Sequence, residues 1–197
     1  MTTPQPESKT LAGREVLVGV TGGIAAYKTA TLVSRLVQAG AAVTVVMTEA
    51  AKRFVGPLTF QTLSGRPVYS DLWAPPESVR ADHVGLAQAA ELVVVAPATA
   101  NLLGQLAHGI ADDLLSTLLL AVDAPVIVAP AMNERMWRHP AVQANCETLR
   151  SRGIRFVGPA QGHLACGTVG EGRMAEPQDI LASVARLLGE TPRKTKP

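Results

Sequence analysis

The sequence predicts an α/β protein: a doubly wound, Rossmann-like (flavodoxin-like) parallel sheet with helices on both faces. Three observations lead there. From about Arg14 onward, short β-branched runs alternate with longer segments of helical period, the rhythm of successive βαβ units. The runs are nearly continuous in apolar character, as strands covered on both faces are. The first of them leads directly into a glycine turn that opens a helix.

The strands are expected at 16–20, 42–47, 92–97, 125–129 and 154–157. Between the first two, Thr29, Leu32, Val33, Leu36 and Val37 fall on one helical face, and Gly40 supplies a stop, which completes one βαβ unit. A buried helix is expected over 113–121. A further helix over 140–152 has an apolar line through Val142, Cys146 and Leu149 and ends before Gly153. The last helix, 178–188, offers Ile180, Leu181, Val184, Leu187 and Leu188 to the core. Between strands two and three, the stretch 73–81 is centred on Pro75-Pro76 and reads as a loop near the strand ends. No internal repeat is present. Residues 1–12 and 190–197 read as flexible tails, which leaves 13–189 as one domain.

Composition narrows the function classes. With 197 residues, 47% of them hydrophobic and 17% charged, the chain can bury one good-sized core and has no room for two large domains. A formal net charge of +2 is too small to suggest a nucleic-acid or polybasic membrane partner, and the Arg193-Lys194-Lys196 cluster reads as a solvated tail. Two cysteines without Cys-x-x-Cys spacing give neither a disulfide framework nor a zinc site. No basic-then-apolar leader is visible, and no apolar run approaches the ~20 residues of a membrane-spanning helix. A soluble, cytoplasmic protein without a bound metal is expected.

Ligands of a doubly wound sheet bind beyond the carboxyl ends of the strands, so the strand ends carry the functional signal. Strand one runs into Thr21-Gly22-Gly23-Ile24-Ala25-Ala26-Tyr27-Lys28, where exposed amides and a helix dipole favour a phosphate. The Gly-x-Gly-x-x-Gly spacing of dinucleotide sites is missing. Strand two ends in Met47-Thr48 where a ribose-binding acid would be expected, although Glu49 follows at once. The Gly-Lys-Ser/Thr ending of a triphosphate loop is also missing. A monophosphate such as FMN fits better, with Thr48 able to offer a hydroxyl, although a glycine turn can also serve tight strand-to-helix packing alone. Strand three ends in Ala96-Pro97-Ala98-Thr99-Ala100-Asn101, and strand four in Pro130-Ala131-Met132-Asn133-Glu134-Arg135-Met136-Trp137. Small residues there permit close approach of a flat ring. Singly, Asn101 could be only a helix cap, and Met132, Met136 and Trp137 only core.

These three elements, with Ala165-Cys166-Gly167-Thr168-Val169-Gly170-Glu171-Gly172-Arg173-Met174, together resemble the homo-oligomeric flavin-containing cysteine decarboxylases. The similarity runs from about 14 to 188, and Pro-Ala-Met-Asn-x-x-Met-Trp is its most specific part. The resemblance implies FMN at a subunit interface and a homotrimer, or a dodecamer built of trimers. It implies that Gly22, Gly23, Ile24, Thr48, Thr99, Ala100, Asn101 and Ala131 hold the cofactor. Asn133, Met136, Ala165 and Gly167 would meet the substrate, Asn133 by donating to its carboxylate. His83, in Asp82-His83-Val84-Gly85-Leu86, stands where the family has its essential histidine. His108, His139 and His163 match no catalytic motif. Cys166 would be chemical and Cys146, on an apolar helix face, structural.

The chemistry explains why such groups are needed. Electrons left on the α-carbon of a cysteine carboxylate have no adjacent sink. Oxidation at the carbon bearing sulfur creates a thioaldehyde that can accept them, carbon dioxide leaves to give an enethiol, and hydride return completes a redox-neutral decarboxylation. His83 is implied as the base for thiol oxidation and Cys166 as the proton donor for the re-reduction. Relatives that modify peptidyl cysteines stop at the enethiol, so Cys166 favours 4′-phosphopantothenoylcysteine as substrate and 4′-phosphopantetheine, on the route to coenzyme A, as product. Thr168 stands where many members carry aspartate. The alternatives are a non-catalytic, regulatory FMN-binding relative and a peptidyl-cysteine decarboxylase. A flavin prenyltransferase should lack the Pro-Ala-Met-Asn and Ala-Cys-Gly elements. A phosphopantothenate–cysteine ligase is expected on a separate polypeptide, because the chain ends at Pro197.

Overall fold

The computed structural model describes residues 10–73, 83–163, 169–190 and 193. Six parallel strands form the main sheet: β1 (Glu15–Val20), β2 (Ala42–Met47), β3 (Val68–Tyr69), β4 (Leu92–Ala98), β5 (Val126–Pro130) and β6 (Arg155–Phe156). Their spatial order is β3-β2-β1-β4-β5-β6, all pairs parallel. Of the two strand orders common in doubly wound sheets, this is the Rossmann one, and its direction reverses between β1 and β4.

Strand alternation divides the core into two layers. Val16, Val18 and Val20 of β1, with Leu92, Val94 and Ala96 of β4, face a cluster built from α1 (Ala26–Gln38), α2 (Pro57–Ser64) and α8 (Pro177–Glu190). Leu17, Val93 and Val95 point the other way. There they meet α3 (His83–Ala89), α4 (Ala100–His108), α5 (Leu114–Ala121) and α7 (Pro140–Ser151). Helix α1 buries Leu32, Val33 and Leu36 completely, each Leu worth about 1.5–3 kcal/mol relative to exposure. Gly19 lets α5 lie close to β1, because a Cβ there would come within 2.7 Å of Leu115 Cδ1.

The expected strands and helices appear within a residue or two of their expected ends, with β6 shortened to two residues. Several elements went unforeseen: β3, α2, α3, the single-turn α6 (Glu134–Trp137), and an antiparallel hairpin of β7 (Ala160–His163) and β8 (Val169–Arg173). Helix α2 buries only Phe60. It is bounded by Pro57 at its first turn and by Gly65 in the left-handed region at φ +67°, signals of ends rather than of a face. The N-terminal tail expected over 1–12 is too long: Leu11 is 1% exposed in the core and its amide donates to Ala39 O at 3.0 Å. At the other end α8 continues to Glu190. Of the expected loop, Trp73 is an exposed turn residue and the rest lies outside the described residues. Among the described residues no helix is long and apolar enough to cross a membrane.

Candidate functional site

At the reversal point the carboxyl ends of β1, β4 and β5 lie side by side, and one threonine ties the first two together. The Thr21 hydroxyl donates to Pro97 O at 2.7 Å and accepts from the Thr99 amide at 3.2 Å. In the first turn of α1, Thr29 donates to Ala96 O at 2.6 Å. Both side chains are buried, so the glycine loop and the end of β4 are held as one unit.

The two loop glycines differ in what they permit. A Cβ on Gly22 would sit 2.4 Å from Ala50 Cβ and 2.9 Å from the Ala50 carbonyl carbon, so protein packing itself requires glycine. A Cβ on Gly23 would meet nothing nearer than 3.9 Å, from Pro97 and Thr99. Packing makes no such demand there, whereas a ligand pressed against the backbone would.

Helix starts make the same distinction. Thr99 caps α4, Asp113 and Ser116 form a capping box on α5, Asn133 caps α6 and His139 caps α7. Helices α1, which begins after Ala25, and α2, which begins after Gly56, have no side-chain cap and no acid in the first turn, and of these two only α1 starts at the glycine loop. The amides of 26–28 donate to the carbonyls of 23–25, so the loop amides ahead of α1, backed by its dipole, are the ones that favour an external anion.

These elements surround a cavity of about 700 Å³. Its wall consists of 22–25, Tyr27 and Lys28, then Thr99 and Ala100, then 131–133 and Met136, and finally 172–174 at the end of β8. Among the described residues no carboxylate lines it. The hairpin is fitted onto the β5–α6 turn by backbone: the Met132 amide donates to Gly172 O at 2.9 Å. Gly172 has φ +133°, and a Cβ there would lie 2.3 Å from Met132 O. Gly170 has similarly little room, with Glu134 Cδ 2.4 Å from the position of a Cβ.

Of the residues expected to hold a cofactor, Gly22, Gly23, Ile24, Thr99, Ala100 and Ala131 all line this cavity. Of those expected to meet a substrate, Asn133 and Met136 do. The Asn133 side-chain oxygen accepts from the Arg135 amide at 2.8 Å. Thr48 and Asn101 do not line it. Thr48 Oγ1 accepts from the Ala51 amide at 3.2 Å, and Asn101 Nδ2 donates to Gln105 Oε1 at 3.2 Å. His83 opens α3, half-buried and away from the cavity wall. Ala165, Cys166 and Gly167 lie between β7 and β8, outside the described residues. Cys146 is fully buried in α7, and burial pushes its thiol up, with Arg150 pulling less strongly the other way.

Sequence reading assigned no role to Thr21, Lys28, Arg173 or Glu176. Lys28 Nζ lies 2.9 Å from Glu176 Oε1, and Arg173 donates to the same oxygen at 2.6 Å. The hydrogen bond from Lys28, reinforced by both positive charges, holds the Glu176 carboxyl below its ordinary value. The only advance signal was a lysine in the first turn of a helix whose start favours anions.

A cavity with an uncapped glycine loop, set where a 3-2-1-4-5-6 sheet reverses, defines a nucleotide-cofactor-binding α/β protein. Residues 4–189 match the Flavoprotein family, and the chain belongs to it. It is 50% identical over 188 residues to the coenzyme A biosynthesis bifunctional protein CoaBC of Vibrio vulnificus, covering 95% of this chain and 47% of that protein. The chain thus spans about half the length of the curated relatives it matches. Among solved structures it resembles a PPC decarboxylase cysteine-to-serine mutant complexed with pantothenoylaminoethenethiol, with TM-score 0.79 and 32% identity, covering 91% of this chain and 100% of that one. The FMN-dependent cysteine decarboxylase SpaF gives TM-score 0.77 at 32% identity, covering 91% and 97%.

Proposed function

We propose that this chain is an FMN-dependent phosphopantothenoylcysteine decarboxylase, converting 4′-phosphopantothenoylcysteine to 4′-phosphopantetheine in coenzyme A biosynthesis. The observation that carries the proposal is the cavity at the sheet reversal. An uncapped helix start faces it, Gly23 leaves room for a ligand against the backbone, and among the described residues no carboxylate lines it to repel an anion. The bifunctional coenzyme A relatives and the solved cysteine decarboxylases support the same assignment.

Bound FMN supplies a reversible hydride acceptor for the carbon bearing sulfur, which opens and later closes the route to decarboxylation. The chain's own residues bind and orient. The amides at 22–25, backed by the dipole of α1, receive the phosphate, while Thr99, Ala100 and Ala131 provide a small-residue wall for a flat ring. Asn133 donates to the substrate carboxylate without neutralising it, leaving carbon dioxide free to depart. Cys166 gives a proton to the substrate carbon in the closing step, and His83 takes one from the thiol in the opening step.

Three exposed apolar side chains, Ile24 at 60%, Tyr27 at 60% and Met136 at 48%, rim the cavity, and His83 and Asn101 stand off its wall. A second copy of the chain that covers the rim and brings its own His83 accounts for both facts. A homotrimer, or a dodecamer of trimers, is therefore part of the proposal. So is a phosphopantothenate–cysteine ligase activity supplying the substrate, as the bifunctional relatives suggest.

The test is a visible spectrum of the purified protein, then incubation with 4′-phosphopantothenoylcysteine and mass analysis of the product. A yellow protein yielding 4′-phosphopantetheine is expected. A protein that stays colourless with added FMN, or holds FMN without releasing carbon dioxide, refutes the assignment. Cys166→Ser is expected to keep FMN and release carbon dioxide but to accumulate the enethiol, two mass units lighter than the normal product. Saturated product from that variant removes Cys166 from the mechanism.

A further inference from the structure

The cavity wall carries two cations, Lys28 from α1 and Arg173 from β8, and both converge on a single oxygen of Glu176. Glu176 itself precedes α8 and does not line the cavity. The Lys28 side chain is only 11% exposed, against 45% for Glu176 and 41% for Arg173. A lysine so far withdrawn from water gains from an opposite charge beside it, and Glu176 provides it. Two like charges drawn to one oxygen would otherwise repel each other and spread among rotamers.

Further packing fixes the arrangement. A Cβ on Gly162 would meet Arg173 Nη1 at 3.0 Å and Cδ at 3.1 Å, so the bare glycine of β7 is what lets the arginine lie along the hairpin. The Glu176 main-chain carbonyl accepts from the Asp179 and Ile180 amides at 2.9 and 3.2 Å, which anchors the residue to the start of α8.

We propose that Glu176 is a positioning residue that holds Lys28 and Arg173 together as a divided cation for a phosphate monoester bound in the cavity. One carboxylate against two cations leaves the cluster with a net positive charge on the side of the ligand. Each cation keeps N–H groups beyond the one given to Glu176, and a phosphate monoester offers enough acceptor oxygens to take several at once. Both FMN and 4′-phosphopantothenoylcysteine carry such a group, and the inference rests on the functional reading above in naming them.

Each ligand has a phosphate-free counterpart, so paired measurements separate the sources. Dissociation constants of the flavin-depleted full chain for FMN and riboflavin are read from flavin fluorescence. KM and kcat of the holoprotein are read with 4′-phosphopantothenoylcysteine and with pantothenoylcysteine. In Glu176→Gln we expect about a tenfold loss for the phosphorylated member of one pair and none for its counterpart. A loss confined to FMN assigns the cluster to the cofactor, and a rise in KM for the phosphorylated substrate at constant kcat assigns it to the substrate. Glu176→Asp, which keeps the charge, should recover part of the loss.

Tighter binding in Glu176→Gln would overturn the proposal, since removing a negative charge without loss of position strengthens attraction to an anion. Equal losses for both members of each pair, or no change in any, would overturn it as well. If the wild type binds no flavin, the functional reading fails independently. Inorganic phosphate titrated against the full chain by 31P NMR then tests the cluster alone, with weaker binding in Glu176→Gln expected and equal or tighter binding contrary to it.

Discussion

The two edges of the main sheet handle charge in opposite ways. At the amino ends of β1 and β4, Arg14 and Glu91 pair at 2.9 Å with side chains 6% and 7% exposed. The second Glu91 oxygen accepts from the Glu15 amide at 2.9 Å, and Arg14 also donates to Leu188 O at the end of α8. Glu15 in turn pairs with Arg66 at 2.7 Å. Here opposite charges meet in pairs and join β1, β4, α8 and the segment after α2. At the carboxyl ends, two cations share one carboxylate, α1 starts without a cap, and a cavity replaces packed side chains. One edge is closed by its charges, whereas at the other the described residues leave an open cavity beside them.

Glu91→Ala is the most disruptive way to break this contrast. It leaves Arg14 buried without its carboxylate and removes the acceptor of the Glu15 amide, at a cost of about 3–5 kcal/mol. Chemical denaturation should show that loss, while flavin bound per folded molecule stays unchanged. A loss under about 1 kcal/mol, or a selective loss of flavin, would mean that the two edges are not separable.

A smaller effect is expected from Thr21→Val, which keeps the shape at the open edge and deletes the hydroxyl shared by Pro97 O and the Thr99 amide. The half-buried Thr99 N–H and the buried Pro97 C=O then each lose a partner, for about 1–3 kcal/mol of stability. FMN affinity should fall about tenfold, since the Gly22 loop and the end of β4 would no longer be held in register. An unchanged FMN dissociation constant would show that the loop is positioned by Gly22 and Ala50 alone.

The contrast also explains what the sequence could disclose. Strands β1, β2, β4 and β5 are covered on both faces, and double coverage writes itself as continuous apolar runs; β2 was expected at 42–47 and found there. Two-residue strands such as β3 are too short to show a period. The hairpin reads Ala-Gln-Gly-His and Val-Gly-Glu-Gly-Arg, with no apolar alternation, because glycine fit against Met132 and Glu134 places it rather than a buried face. The glycine loop was visible because its requirement is local. Thr21 to Pro97 spans 76 residues and Lys28 to Glu176 spans 148, and such pairings leave no mark in a single sequence. Thr48 and Asn101 stood at the right strand ends, yet their side chains bond to near neighbours, a choice that depends on rotamers rather than on residue type.

The smallest effect expected concerns pH, and it separates a charge that stabilises from one that positions. Lys28 first, and then Arg173, hold the Glu176 carboxyl below its ordinary value. Its contribution to stability is therefore complete above the carboxylate range of the unfolded chain and is lost as pH falls through the lower folded value. With the carboxylate nearly half exposed, that contribution should be about 1 kcal/mol or less. Thermal unfolding of wild type and Glu176→Gln should thus differ slightly at neutral pH, and the two should converge as the pH is lowered past the ordinary carboxylate range. A difference that stays constant with pH would assign the loss to side-chain packing rather than to charge. A difference as large as that of Glu91→Ala would make the open edge as dependent on its ion pairs as the closed one, and the division between the two edges would disappear.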